Sequence, residues 1–385
     1  MKKHSFIKSL LILPFCFLPL TSCVDESLIT FKTTQSVYNL NPGDEVDFLV
    51  FESEQKINKE IQWNTSNMNV AIIGKNKIYA IDEGTAKLKV FSKDYESKKA
   101  EFTVNVNCLK YEKEFSKKGL YEIKSFEFEI DKDLVDKYSI SKTAFDKAKV
   151  FYPSVLEESN DKFPLILYSN GTNQTYENPI IEPIIDLFVS NGFIFIANNQ
   201  KNDAKGKATM ACLESMLRFN EDELSIFYNK VDKDKIGGMG YSQGASGIIN
   251  THLSFGELSK KIKSMIPLCP PSIGKAIYGG QYNTDILTKK FTIPTFIISG
   301  TGNFDQDILN DDELNAMFEF CSNFSVKGRI KRVDHEFKKA LPYMYAWFLY
   351  TLYGNQDASK IFIGESPEFL NNNRFIEKEI KNSIL

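Results

Sequence analysis

Residues 234–239, Asp-Lys-Ile-Gly-Gly-Met, run directly into Gly240-Tyr241-Ser242-Gln243-Gly244, and from there into Ala245-Ser246-Gly247-Ile248-Ile249. A short apolar run, a serine bracketed by glycines and a helix that opens in small residues read as strand, sharp turn, helix. This stretch constrains the chain more than any other, because such a turn needs a buried strand beneath it and a helix packed close behind it. Without a Cβ on Gly240 or Gly244, the chain can close a strained turn that lifts Ser242 Oγ above the end of the strand. The expected architecture is α/β, a mostly parallel sheet with helices on both faces, and Ser242 is the expected nucleophile.

A serine hydroxyl attacks only when a base takes its proton. The chain has three histidines. His4 falls in an N-terminal leader, and His252 lies well along the helix after Ser242, pointing away from it. His335 remains, in Arg332-Val333-Asp334-His335-Glu336, after an expected strand from Gly328 to Val333 and before an aromatic-rich helix. In chain order the acid should fall between serine and histidine, at the end of the preceding strand. That strand is Ile293 to Gly300, and the loop after it offers Asp305, with Asp307 in reserve. Either carboxylate would fix the imidazole tautomer and stabilise its cation. The alternative is that these acids only cap a helix expected from Leu309 to Phe320.

A developing oxyanion needs two donors, usually the amide after the nucleophile and one from the turn after the third strand. Those amides belong to Gln243 and Thr172, the latter in Ser169-Asn170-Gly171-Thr172-Asn173 at the end of the apolar run Phe163 to Tyr168. The substrate pocket is expected above the strand ends, with Tyr176, Cys269 and Phe304 as wall candidates. Tyr343, Tyr345, Trp347, Phe348, Tyr350 and Tyr353 sit at helical spacing, which reads as a core face.

Over residues 145–363 the chain resembles the dienelactone-hydrolase-like and cutinase-like branch of the α/β-hydrolases, which includes polyester hydrolases and platelet-activating-factor acetylhydrolases. The residues that carry the resemblance are Ala148 to Pro153, Val189 to Ile196, Val231 to Gly237, Ala346-Trp347-Phe348 and Gly354-Asn355-Gln356-Asp357. It implies an α/β-hydrolase fold, ester hydrolysis through Ser242, Asp305 and His335, oxyanion amides at Thr172 and Gln243, and no cofactor. Polyester hydrolases of this branch place a tryptophan where this chain has Leu268-Cys269-Pro270-Pro271, so aromatic polymer substrates are not implied. An amidase or thioesterase of the same fold, or a binding protein using the fold as scaffold, are the alternatives.

Met1-Lys2-Lys3 and the apolar stretch Phe6 to Leu20 form a signal-peptide pattern too short to span a bilayer. It ends in Leu20-Thr21-Ser22-Cys23, which resembles a bacterial lipobox. The resemblance implies cleavage before Cys23, diacylation of its thiol and tethering of the exported protein to a membrane surface of the cell envelope. The division expected is leader 1–22, anchor linker 23–27, a β domain 28–107 and a hydrolase domain 108–385. Within 28–107, short alternating runs such as Val46 to Phe51, Val70 to Ile73 and Phe102 to Val106, with turn residues between, predict an all-β sandwich. Trp63, Ser66-Asn67, Ala71 and Gly84-Thr85-Ala86 resemble the group 2 bacterial immunoglobulin-like domain, whose role here is either a spacer or a binder of a surface ligand.

The formal net charge of −3, which becomes −6 once Lys2, Lys3 and Lys8 leave with the leader, argues against nucleic acid as a partner. The lysine-rich stretches 201–207 and 327–339 read as solvated. Cys108, Cys212, Cys269 and Cys321 would allow three pairings if all were oxidised. No Cys/His cluster with metal-ligand spacing occurs in the sequence, so no metal is expected.

Overall fold

The computed structural model describes residues 31–52, 55–56, 61–92, 95–140, 147–273, 282, 289–321 and 323–381. Cys23, His4 and the rest of the leader lie outside them. No helix among the described residues is long and apolar enough to cross a membrane.

Among the described residues nine strands build the principal sheet: β1 (Ile123–Glu129), β2 (Lys147–Pro153), β3 (Phe163–Ser169), β4 (Ile194–Asn198), β5 (Val231–Tyr241), β6 (Ile262–Leu268), β7 (Thr295–Gly300), β8 (Ser325–Ile330) and β9 (Phe375–Lys381). Their spatial order is β1-β2-β4-β3-β5-β6-β7-β8-β9. The run from β4 to β8 is parallel throughout, and the β1–β2, β2–β4 and β8–β9 pairs are antiparallel. Every residue of β3, β4, β7 and β8 is buried, as parallel strands covered on both faces require. In β8 this includes Lys327 and Arg329, which corrects the solvated reading of that stretch. The burial is tolerable because Lys327 reaches Glu379 at 3.2 Å and Arg329 reaches Asp311 at 2.6 Å.

The two faces of the sheet are covered by different helices. Alternation along β3 sends Ile166 and Tyr168 into a core shared with α1 (Glu182–Ser190) and a later helix, Leu341–Tyr353, while Leu165 and Leu167 join α2 (Lys207–Glu221) and α3 (Gln243–Ser254). Between β7 and β8 lie α4 (Asn303–Ile308) and α5 (Asp311–Glu319), and Leu341–Tyr353 is α6. The helix expected from Leu309 therefore starts at Asp311, where Asn310 accepts from the Glu313 amide and the Glu313 side chain returns the bond.

The aromatic spacing of α6 is a core face. Trp347 is fully buried, stacked on Phe324 at 5.1 Å and edge-on to Phe362 at 5.3 Å. Truncating such a ring costs about 3–5 kcal/mol. Tyr353, at the end of the helix, is 44% exposed.

The described residues between 31 and 106 form small sheets, antiparallel except where Val37–Leu40 runs parallel to Tyr95–Val106. Tyr38, Phe48, Ile78, Leu88, Phe102 and Val104 pack into a core of their own. This N-terminal β unit is followed by the helices Lys110–Phe115 and Lys132–Lys137, on either side of β1.

Candidate active site

At the end of β5 the chain turns through Ser242, whose φ of 56° and ψ of −123° lie in a region costly for any L side chain, by about 1–3 kcal/mol. The surroundings force this geometry. A Cβ on Gly240 would stand 1.9 Å from the Gly244 carbonyl oxygen, and one on Gly244 2.0 Å from that of Ser169. The Ser242 amide donates to Leu268 O at 2.8 Å, which ties the turn to the end of β6.

His335 meets Ser242 from the loop after β8. Its Nε2 lies 2.9 Å from Ser242 Oγ and its Nδ1 2.7 Å from Asp305 Oδ1. Asp305 sits in the first turn of α4 and is fully buried. Its Oδ2 accepts from the amides of Gly300 at 2.5 Å and His335 at 3.0 Å. Burial alone would raise the Asp305 carboxyl, but the hydrogen bond and charge of His335 and the two amides outweigh it and hold the group below its ordinary value. Such a carboxylate stays ionised and orients the imidazole with Nδ1 protonated and Nε2 free to accept from serine.

Several side chains brace this trio. Tyr241 donates from its phenol to His335 O at 2.6 Å. Asp334 accepts from the amides of Phe304 and Asp305 at 3.2 and 3.0 Å, so the residue before the histidine holds the start of the acid's helix. Arg329, fully buried, donates to Gly300 O at 2.8 Å and to Leu309 O, clamping the acid-bearing segment at both ends. Cys269 has a φ of 46°, and its sulfur lies within 4.8 Å of the Asp305 and His335 ligand atoms. Burial and the neighbouring Asp305 charge raise its thiol far above the ordinary value, so it stays protonated.

Thr172 and Gln243 line a cavity of about 390 Å³ together with Ser242, His335, Tyr241, Gln174, Pro271, Phe304 and Ile308. Neither the Thr172 nor the Gln243 amide donates to a protein acceptor among the described residues. The Thr172 turn is shaped by Gln174, a buried side chain whose Oε1 accepts from the Gly171 amide at 3.0 Å. The cavity wall carries no ammonium, guanidinium or carboxylate among the described residues.

The remaining candidates sit elsewhere. His252 Nε2 lies 3.3 Å from Thr292 Oγ1, and burial lowers its pKa to about 4, which leaves it neutral at pH 7. Asp307 is exposed on α4 and makes no part of the His335 contact. Of the expected wall residues, Phe304 lines the cavity, whereas Tyr176 is buried with its hydroxyl donating to Glu127 and Cys269 lies behind the triad. Cys108, Cys212, Cys269 and Cys321 are all unpaired thiols. Sequence reasoning missed Gln174 and Arg329 and gave Tyr241 and Asp334 no role; the one available signal was their position beside Ser242 and His335.

No family model matches the chain, and no curated protein matches it.

Proposed function

We propose that the chain is a serine hydrolase that cleaves carboxylic esters through an acyl-Ser242 intermediate. The observation that carries this reading is the unbroken Ser242–His335–Asp305 relay, at 2.9 and 2.7 Å, opening on a cavity that also presents the Thr172 and Gln243 residues. Ser242 Oγ attacks the ester carbonyl as its proton passes to His335 Nε2, and the oxyanion is received by the two amides. The imidazolium then protonates the leaving alcohol. Water, activated by the same His335, attacks the acyl carbonyl and releases the acid. Asp305 stays ionised throughout.

The strand order, with the nucleophile after β5, the acid after β7 and the histidine after β8, supports an α/β-hydrolase fold for the principal sheet. An uncharged wall formed by Phe304, Ile308, Pro271 and Tyr241 favours neutral esters with an apolar group next to the carbonyl. The sequence supports diacylation at Cys23 and tethering to a membrane surface, and the short strand runs support an immunoglobulin-like sandwich.

The test is hydrolysis of p-nitrophenyl acetate, butyrate and octanoate by residues 24–385, in wild type and Ser242→Ala, with a fluorophosphonate probe to label Ser242. Turnover and labelling that vanish together in the variant are expected. Well-folded wild type that neither turns over nor labels would overturn the reading.

A further inference from the structure

The loop that carries His335 is held on both flanks by the N-terminal β unit. On the near side, Lys331 Nζ donates to Gly43 O at 3.2 Å, and Arg332 Nη2 donates to Glu45 Oε1 at 2.6 Å. The Arg332 guanidinium also lies over the Tyr79 ring, 4.3 Å from its centroid. On the far side, Lys339 Nζ approaches Asp82 Oδ2 at 3.4 Å. Asp82 in turn accepts from Arg374 Nη1 at 2.7 Å, and Arg374, nearly fully buried, is paired with the equally buried Glu112 at 2.9 Å. The fit is close: a Cβ on Gly43 would stand 2.3 Å from the backbone of Asn373 and Arg374, and the cleft left between the units is about 10 Å³.

Arg332 links these contacts to the catalytic geometry. It has a φ of 59°, and three residues later His335 has a φ of 51°, so the loop contains two left-handed non-glycine residues that its own backbone does not favour. The Arg332 amide donates to Thr301 Oγ1 at 2.9 Å, and Val333 O accepts from Thr301 and Gly302 at 3.0 and 2.8 Å. The turn pinned by Glu45 and Tyr79 is therefore the one that joins the histidine loop to the acid-bearing segment. A single exposed ion pair contributes little. Here a charged hydrogen bond, a ring contact and two flanking lysines act on one short loop.

We propose that the N-terminal β unit is a working part of the active site, with Arg332 as the positioning residue through which Glu45 and Tyr79 hold His335 in register. This rests on the hydrolase reading for its effect on turnover, but the geometry it predicts can be read without turnover.

The experiment changes only the β unit, as Glu45→Gln, Tyr79→Leu and their combination in the full chain. Two readouts are taken: kcat and KM on p-nitrophenyl butyrate, and the downfield proton NMR signal of His335 Nδ1–H, assigned by its loss in His335→Ala. The double variant is expected to lose about tenfold in kcat, with KM within about twofold, and to broaden the His335 signal. The charge swap Glu45→Arg with Arg332→Glu should recover part of the loss. Lys113→Ala, which breaks the Lys113–Glu83 ion pair between the two units without removing any contact to Lys331, Arg332 or Lys339, should change neither readout. Wild-type kcat and an unchanged His335 signal in the folded double variant would overturn the inference and leave the hydrolase reading standing. Absence of turnover in wild type would remove the hydrolase reading, while the NMR signal would still decide the positioning role.

Discussion

Tyr241 and His335 are joined by a hydrogen bond of 2.6 Å from the phenol to the histidine carbonyl, with their rings 4.9 Å apart. The residue before Ser242 thus fixes the backbone of His335. Tyr241→Phe keeps the ring packing and leaves the part-buried His335 O without this donor, a loss of about 1 kcal/mol. The expected result is a fall in kcat of about three- to tenfold with a lower melting temperature, measured by ester hydrolysis and thermal unfolding. Unchanged kcat would mean the loop holds its place without Tyr241.

Asp305 and Asp307 separate cleanly by substitution. Asp305→Asn would turn an amide group toward the donors of Gly300 or His335, favouring the wrong tautomer, and kcat should fall by about 10³–10⁴. Asp307→Asn should leave kcat within about twofold. Because the folded Asp305 carboxyl is held below its ordinary value, its stabilisation is present above the ordinary carboxylate range and is lost as pH falls through and below it. Urea unfolding of wild type and Asp305→Asn should therefore converge in acid. Equal kcat losses from the two variants would refute the assignment.

The meeting of Ser242, His335 and Asp305 was legible in the sequence because each choice rests on simple information: a glycine-bracketed turn after an apolar run, a scarcity of histidines, and chain order. The strand expected over 234–239 is longer, Val231–Tyr241, and the one expected over 328–333 is shifted to Ser325–Ile330, where every position is buried, Lys327 and Arg329 included, so its charged residues hid where it starts. What the sequence did not show are bonds between residues far apart in the chain. Arg329 reads as a solvated cation until Leu309 and Gly300 place their carbonyls around it. Gln174 is an ordinary loop residue until its side chain folds back on Gly171. The grip of Glu45 on Arg332 spans 287 positions, so no local pattern could announce it.

The apolar wall can be separated from the catalytic relay. Phe304 is 40% exposed and stands edge-on to His335, with ring centroids 4.7 Å apart, and Ile308 lies one turn further along α4. Phe304→Ala removes a contact surface without touching the hydrogen bonds of the triad. The octanoate ester should lose about 1–2 kcal/mol of kcat/KM relative to the acetate ester. Equal losses on both esters would show that Phe304 supports His335 rather than the substrate.

Asp203 gives the fold a second pH dependence. Its carboxylate is buried between β3 and the start of α2, accepting from the Ala208 and Thr209 amides at 3.1 and 2.7 Å and from the Thr209 hydroxyl at 2.6 Å. Burial raises its pKa to about 6 against those hydrogen bonds. The folded chain then binds a proton that the unfolded chain, with an ordinary aspartate near 4, has already released. Stability falls as pH rises between these values, and the loss is complete above about 6. In Asp203→Asn this dependence is gone, although the cap is weaker at every pH. The stability of the variant relative to wild type should therefore improve by about 2 kcal/mol between pH 4.5 and 6.5, measured by urea unfolding. Taking the difference cancels every other titrating group the two proteins share. A flat difference across that window would mean that the donors around Asp203 offset its burial fully, and that the carboxylate is ionised at all working pH.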